Sequence, residues 1–371
     1  MLLSVALALS IGLLMTRLFK VLHLNFPDVT AYLIAGLIIG PYGLGRLGIP
    51  GIGFASYEAV EKLNIITQTA LGFIAFAIGN EFRLSQLKST GRQATVVGIF
   101  QALTAALLVD AALIGLHFIL GDKLPISSAI TLGAIATATA PAATLMVVRQ
   151  YKAKGPVTDI LLPVVALDDA VGLVVFAVSF GIANALERGA LDLVSVMVNP
   201  LLEIVLSLGL GALMGVILTW LEKLFQSNSN RLSLTIAFVF LTVALSLMKF
   251  SVGPVTISFS SLLVCMMLGT VFCNLCPLSG DLMDRADKWT APLFTLFFVL
   301  SGAELELNVF RDIAVVGIGL LYILARSVGK YFGARWSCQW TKCPENVTKY
   351  LGITLLPQAG VALGMCVTAA S

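Results

Sequence analysis

Three stretches set polar groups among apolar neighbours. Residues 167–172 read LDDAVG and place two carboxylates, Asp168 and Asp169, inside PVVALDDAVGLVVFAVSFGIA. Residues 137–141 read TATAP, and a later stretch, LGITLLPQAGVALG, holds Pro357 and Gln358. A third, IAVVGIGLLYILARSVGKYFGARW, holds Arg326 and Lys330. Adjacent residues on a helix point about 100° apart, so the two acids can share a cavity and keep different partners. Neighbouring carboxylates titrate as a coupled pair, which suits the exchange of a proton for a cation. Pro141 removes a backbone donor and leaves a carbonyl near 137 unpaired. Such carbonyls, with the hydroxyls of Thr137 and Thr139, are hard oxygen ligands for an alkali cation. A threonine hydroxyl bonded back to its own helix is the plainer alternative. Arg326 and Lys330 are four residues apart on one helix face. Arg326 is the deeper and is the expected ion-pair partner of an acid, whereas Lys330 is close enough to the helix end to snorkel.

These groups need elements that hold them inside a membrane. The 371 residues are 58% hydrophobic and 12% charged, against about 25% charged in soluble domains. Apolar runs of about 20 residues predict spanning helices, not a barrel. Twelve segments are expected, near 2–22, 29–41, 62–80, 93–118, 127–148, 157–183, 197–221, 232–250, 254–273, 289–303, 312–334 and 347–370. An ionisable group at the bilayer centre costs about 2.5–3.5 kcal/mol. A scaffold has no reason to bury two acids and an arginine. The net charge of +3 with no basic run offers nothing to nucleic acid. The first segment lacks a cleavage site and reads as a retained helix. Glu81 and Glu304 end segments and read as solvated helix-end acids. The cysteines of CNLC (273–276) and CQWTKC (338–343) only half fit a zinc spacing, so reduced thiols are expected. No cofactor, no metal beyond a transported cation and no enzymatic activity are expected.

Fifteen Lys and Arg fall in the odd-numbered loops and six in the even ones. This predicts cytoplasmic odd loops and an outside N-terminus. The chain also resembles itself. FAIGNEFRLSQL (76–87) matches VLSGAELELNVF (299–310), LGAIATATAPAATLM (132–146) matches LGITLLPQAGVALGM (351–365), and LIAGLIIG (33–40) weakly matches LLVCMMLG (262–269). Each pair is seven segments apart, so the copies cross the membrane in opposite senses. Inverted repeats with broken helices are an architecture of secondary transporters. If segments 1–6 recur as 8–13, a partner for the Asp168–Asp169 helix is expected beyond residue 371.

FPDVTAYLIAGLIIGPYGLG, GFIAFAIGNEFRL, TATAPAAT, LDDAVG, LFFVLSGAELEL and LPQAGVALG, in this order over nearly the whole chain, resemble bacterial monovalent cation:proton antiporters of the Kef/Nap-type branch. The resemblance implies an all-α inverted-repeat fold with two crossed, broken helices, about 12 segments of an expected 13. It implies a mobile ion-translocating core, about 62–183 and 289–370, and dimerisation helices, about 1–41 and 197–273. It implies a homodimer in the inner membrane, in contact with lipid, exchanging Na⁺, K⁺ or Li⁺ for H⁺ by alternating access. Asp169 would carry the cation or proton, and Asp168 would pair with the basic residue at Arg326. Many two-acid members have lysine there, and arginine does not lose its proton in practice. A gated potassium channel and a sodium-coupled organic-anion symporter are the alternatives.

Overall fold

The structure, a computed structural model, describes residues 2–24, 26–49, 51–80, 82–188, 199–248, 250–252, 255–257 and 259–358, with positions 362, 365, 366 and 369. All statements below concern these residues. Every expected apolar segment contains a helix. In order they are α1 (Leu2–Val21), α2 (Asp28–Ile39), the short α3 (Tyr57–Glu61), α4 (Asn64–Asn80), α5 (Leu84–Leu120), α6 (Ile126–Ile135), α7 (Pro141–Gln150), α8 (Pro156–Arg188), α9 (Asn199–Glu222), α10 (Asn228–Ser246), α11 (Ser261–Leu275), α12 (Ser279–Ala303), α13 (Ile313–Trp340) and α14 (Glu345–Thr354). Eight helical stretches are long and apolar enough to cross a membrane. Between α10 and α11 lies a small antiparallel hairpin, β1 (Phe250–Val252) and β2 (Val255–Ile257), which the apolar runs did not predict. Its β-branched residues flank Gly253–Pro254 in the sequence, a combination that favours strand over helix.

The helices form two packed groups. In the first, α11 packs on α4 and α9, α12 on α2, α4 and α1, and α10 on α9 and α11. In the second, α13 packs on α5 and α14, and α5 and α6 pack on α8. Between the groups, α7 lies on α8, α4 and α2, and α8 also meets α9. This grouping differs from the expected boundaries, which set α4 and α12 with the ion-translocating helices. The reason is backbone proximity. A Cβ on Gly36 would lie 2.1 Å from the Val299 carbonyl oxygen, and one on Gly269 would lie 2.2 Å from that of Phe76. Small residues let α2 meet α12 and α11 meet α4 nearly backbone to backbone.

The first group buries a phenylalanine-rich interior that includes Phe73, Phe76, Phe272, Phe297 and Phe298. Large aliphatic side chains such as Leu14, Leu107, Leu320 and Leu324 face outward. That distribution suits a lipid solvent, in which apolar exposure carries no penalty.

Candidate ion-binding site

The site forms where two helices are broken. α6 ends at Ile135, and α7 restarts at Pro141 with proline at its first position. α14 ends at Thr354, and Leu356–Gln358 continue without helix. The broken stretches meet: the Ala140 N–H donates to the Pro357 carbonyl at 2.9 Å, and Gln358 Nε2 donates to the Ile135 carbonyl at 2.8 Å. The Gln358 amide also pairs with the Tyr322 hydroxyl.

α13 supplies the groups that satisfy the remaining carbonyls. Arg326 donates from Nε to Ala136 O at 3.1 Å, from Nη2 to Ala138 O at 2.7 Å and from Nη1 to Leu356 O at 2.6 Å. One rigid guanidinium thus clamps both breaks. Lys330 Nζ donates to Thr137 O at 2.6 Å, Thr139 Oγ1 at 3.0 Å and Asp168 Oδ2 at 2.9 Å. The carbonyls freed by the proline-interrupted helix are therefore held by cations.

Asp168 is wholly buried and fully engaged. Its Oδ1 accepts from Gln101 Nε2, and its Oδ2 accepts from Thr139 Oγ1 and Lys330. The expected division of the basic residues is reversed. Lys330, 0% exposed, does not snorkel and is the ion-pair partner of Asp168, while Arg326 holds backbone. The cause is the GKYFG run. A Cβ on Gly329 would lie 2.6 Å from Ala105 Cα, and one on Gly333 would lie 2.8 Å from Gln101 Cα. This pair of glycines lets α13 lie directly against α5, so the lysine head ends inside the bundle. The departure noted at Arg326 disappears as well, because a lysine does sit beside the acid. An ion pair this dry persists only with its hydrogen bonds completed, as they are here.

Thr139 joins the site through its hydroxyl. Thr137 joins through its carbonyl, its hydroxyl donating back to Ala134 O at 2.6 Å. The backbone of Asp169 continues α8, and its side chain lies outside the described residues, as does Glu81. Glu304 is exposed just beyond α12.

Two polar residues of α5 escaped the sequence reading. Gln101, fully buried, reaches Asp168. Asp110 is half-buried, with an Oδ1 that has no hydrogen-bond partner, and a Cβ on Gly133 of α6 would lie 1.7 Å from that oxygen. Both were visible as polar residues within the apolar run GIFQALTAALLVDAALIG. Treating every polar residue inside a span as a candidate would have found them.

Comparison with known proteins points the same way. The family described as "Sodium/hydrogen exchanger, transmembrane" matches residues 5–371. The chain is 25% identical over 251 residues to the high-affinity Na⁺/H⁺ antiporter NhaS3 of Synechocystis, covering 60% of this chain and 53% of that protein. It therefore spans about half the length of that relative. Its fold is similar to the sodium proton antiporter MjNhaP1 of Methanocaldococcus jannaschii. At pH 8 the TM-score is 0.66 with 21% identity over 98% of this chain and 86% of the other. Against the electron-microscopy structure the TM-score is 0.74 with 19% identity over 98% and 83%. The family match supports the antiporter part of the resemblance that the motifs suggested, but not its Kef/Nap-type branch.

Proposed function

Since the chain belongs to the sodium/hydrogen exchanger family, we propose that it exchanges a monovalent cation, Na⁺ before K⁺ or Li⁺, for H⁺ as a secondary antiporter. The buried Lys330–Asp168 ion pair at the junction of two broken helices carries this reading. It places a titratable pair among freed carbonyls and hydroxyls, the ligand types an alkali cation needs. Asp169, next in sequence on α8, is the carrier for which cation and proton compete. Asp168, Lys330 and Thr139 hold the network beside it, and Arg326 keeps the breaks together. Because Lys330 is a lysine, it is able to give up a proton when buried, which arginine is not.

Alternating access follows from motion of the second helix group, which carries the site, against the first. An apolar lining of Leu71, Ile74, Leu262 and Phe297 faces Ala140 and Pro141 and supports sliding. The matched glycine contacts of α2 with α12 and of α11 with α4 support an inverted repeat. The first group forms the interface of a homodimer in the inner membrane, with the N-terminus outside.

Reconstitution tests the proposal. Proteoliposomes with a trapped pH dye are expected to dequench on addition of Na⁺, and Asp169→Asn is expected to abolish the response. No proton movement with Na⁺, Li⁺ or K⁺ at pH 6–9 overturns antiport. Currents without proton movement would indicate a channel. Wild-type exchange in Asp169→Asn moves the carrier role to Asp168.

A further inference from the structure

We propose that Cys338 and Cys343 form an oxidisable dithiol, a modification site for small hydroperoxides, at the Trp340 end of α13. Exchange chemistry makes no use of these residues, and the inference stands apart from it.

The geometry comes from how α13 stops. Lys342 takes φ 54°, the left-handed region, and folds the chain back over the last helical turn. The Cys343 N–H then donates to the Cys338 carbonyl at 2.8 Å. This backbone bond brings the two Cα atoms into about the 4.4–6.8 Å range that a disulfide spans. The Cys343 side chain packs against the apolar cluster to which Cys338 belongs. Thr341 Oγ1 lies 3.3 Å from the Cys343 sulfur. Gln93 of α5 pins the turn through the carbonyls of Thr341 and Lys342, at 3.3 and 3.4 Å.

The two thiols are suited to different steps. Cys338 is 0% exposed, packed among Ala94, Val97, Ala334 and Leu351, and shielded from reagents. Cys343 is half-buried and reachable. The neighbouring Cys338 thiol lowers the Cys343 thiol to about 6, which favours its thiolate. The Cys343 thiolate attacks the peroxide, forming S–O and breaking O–O, with hydroxide leaving. The Cys338 sulfur then attacks the Cys343 sulfenic sulfur, forming S–S and breaking S–O. Its proton and the departing hydroxyl leave as water. Overall, two thiols and one hydrogen peroxide give one disulfide and two waters.

The test uses the whole chain in detergent micelles. Brief hydrogen peroxide treatment followed by peptide mass analysis is expected to give a 338–343 link with loss of two hydrogens. Iodoacetamide at pH 6 reads the activation separately. Replacing Cys338 in Cys338→Ala removes the neighbouring thiol and returns Cys343 towards about 8.5. The thiolate fraction then falls by about two orders of magnitude, partly offset by the greater nucleophilicity of the more basic thiolate. The net expectation is about ten-fold slower alkylation of Cys343, with exposed Cys366 unchanged as the internal reference. The proposal is overturned if Cys343 stays a free thiol or proceeds to sulfinic acid with Cys338 reduced. An unchanged Cys343 alkylation rate in Cys338→Ala also overturns it.

Discussion

Removing the charge from Lys330 tests the site where its energetics are largest. Lys330→Met keeps an unbranched stem of similar length and deletes the ammonium. Asp168 retains Gln101 and Thr139 as donors but loses its only cation within hydrogen-bonding distance, and the Thr137 carbonyl loses Lys330. Breaking one side of a buried pair costs about 3–5 kcal/mol, and an orphaned carbonyl adds about 1–3 kcal/mol. At an unfolding entropy of about 2.1 cal/mol/K per residue, the chain loses about 0.8 kcal/mol per degree, so the melting temperature should fall by about 5–10 °C. Asp168→Asn strands the lysine and should fall by a similar amount. The double variant Lys330→Met/Asp168→Asn buries neither charge and leaves chiefly the carbonyl unpaired. It should melt about 1–4 °C below wild type, above either single variant. Melting followed by fluorescence in micelles measures all four corners of this cycle. Additive losses in the double variant would refute the assignment of Lys330 as the partner of Asp168.

The other predictions use the same assay. Arg326→Gln leaves at least one of the Ala136, Ala138 and Leu356 carbonyls without a donor, so a loss of about 1–3 kcal/mol per orphan is expected; unchanged melting would remove the clamp. Gly133→Ala drives a methyl into Asp110 Oδ1 and should cost about 1–3 kcal/mol, most of it recovered when Asp110→Ala is added. Arg149 pairs with Asp287 between α7 and α12 at 2.8 Å, but both side chains are a quarter to a third exposed. Arg149→Ala should therefore cost under about 1 kcal/mol and leave melting almost unchanged.

Much of this was legible in the residues. Twelve apolar runs became helices because hydropathy and length are local properties. Pro141 and Pro357 marked both breaks, since a missing backbone donor acts wherever it falls. Asp168 belonged to the site because no apolar helix carries an acid without cause. The strands Phe250–Val252 and Val255–Ile257 were lost because hydropathy alone counted most of their residues with the neighbouring apolar segments. The grouping of α4 and α12 was lost because their sequences do not say which backbone their glycine faces meet.

The exchange of roles between Arg326 and Lys330 shows where local reading stops. Depth along α13 ranked arginine first, and as a statement about one helix that ranking was sound. Which cation meets the acid depends on how closely α13 lies against α5, and Gly329 and Gly333 set that distance only against the facing Ala105 and Gln101. Residue type and spacing thus established a membrane chain with broken helices and a buried acid. Contact between residues about 160 to 190 positions apart settled the partner of each charge, because a desolvated ion is stable only where several distant elements complete its hydrogen bonds at once.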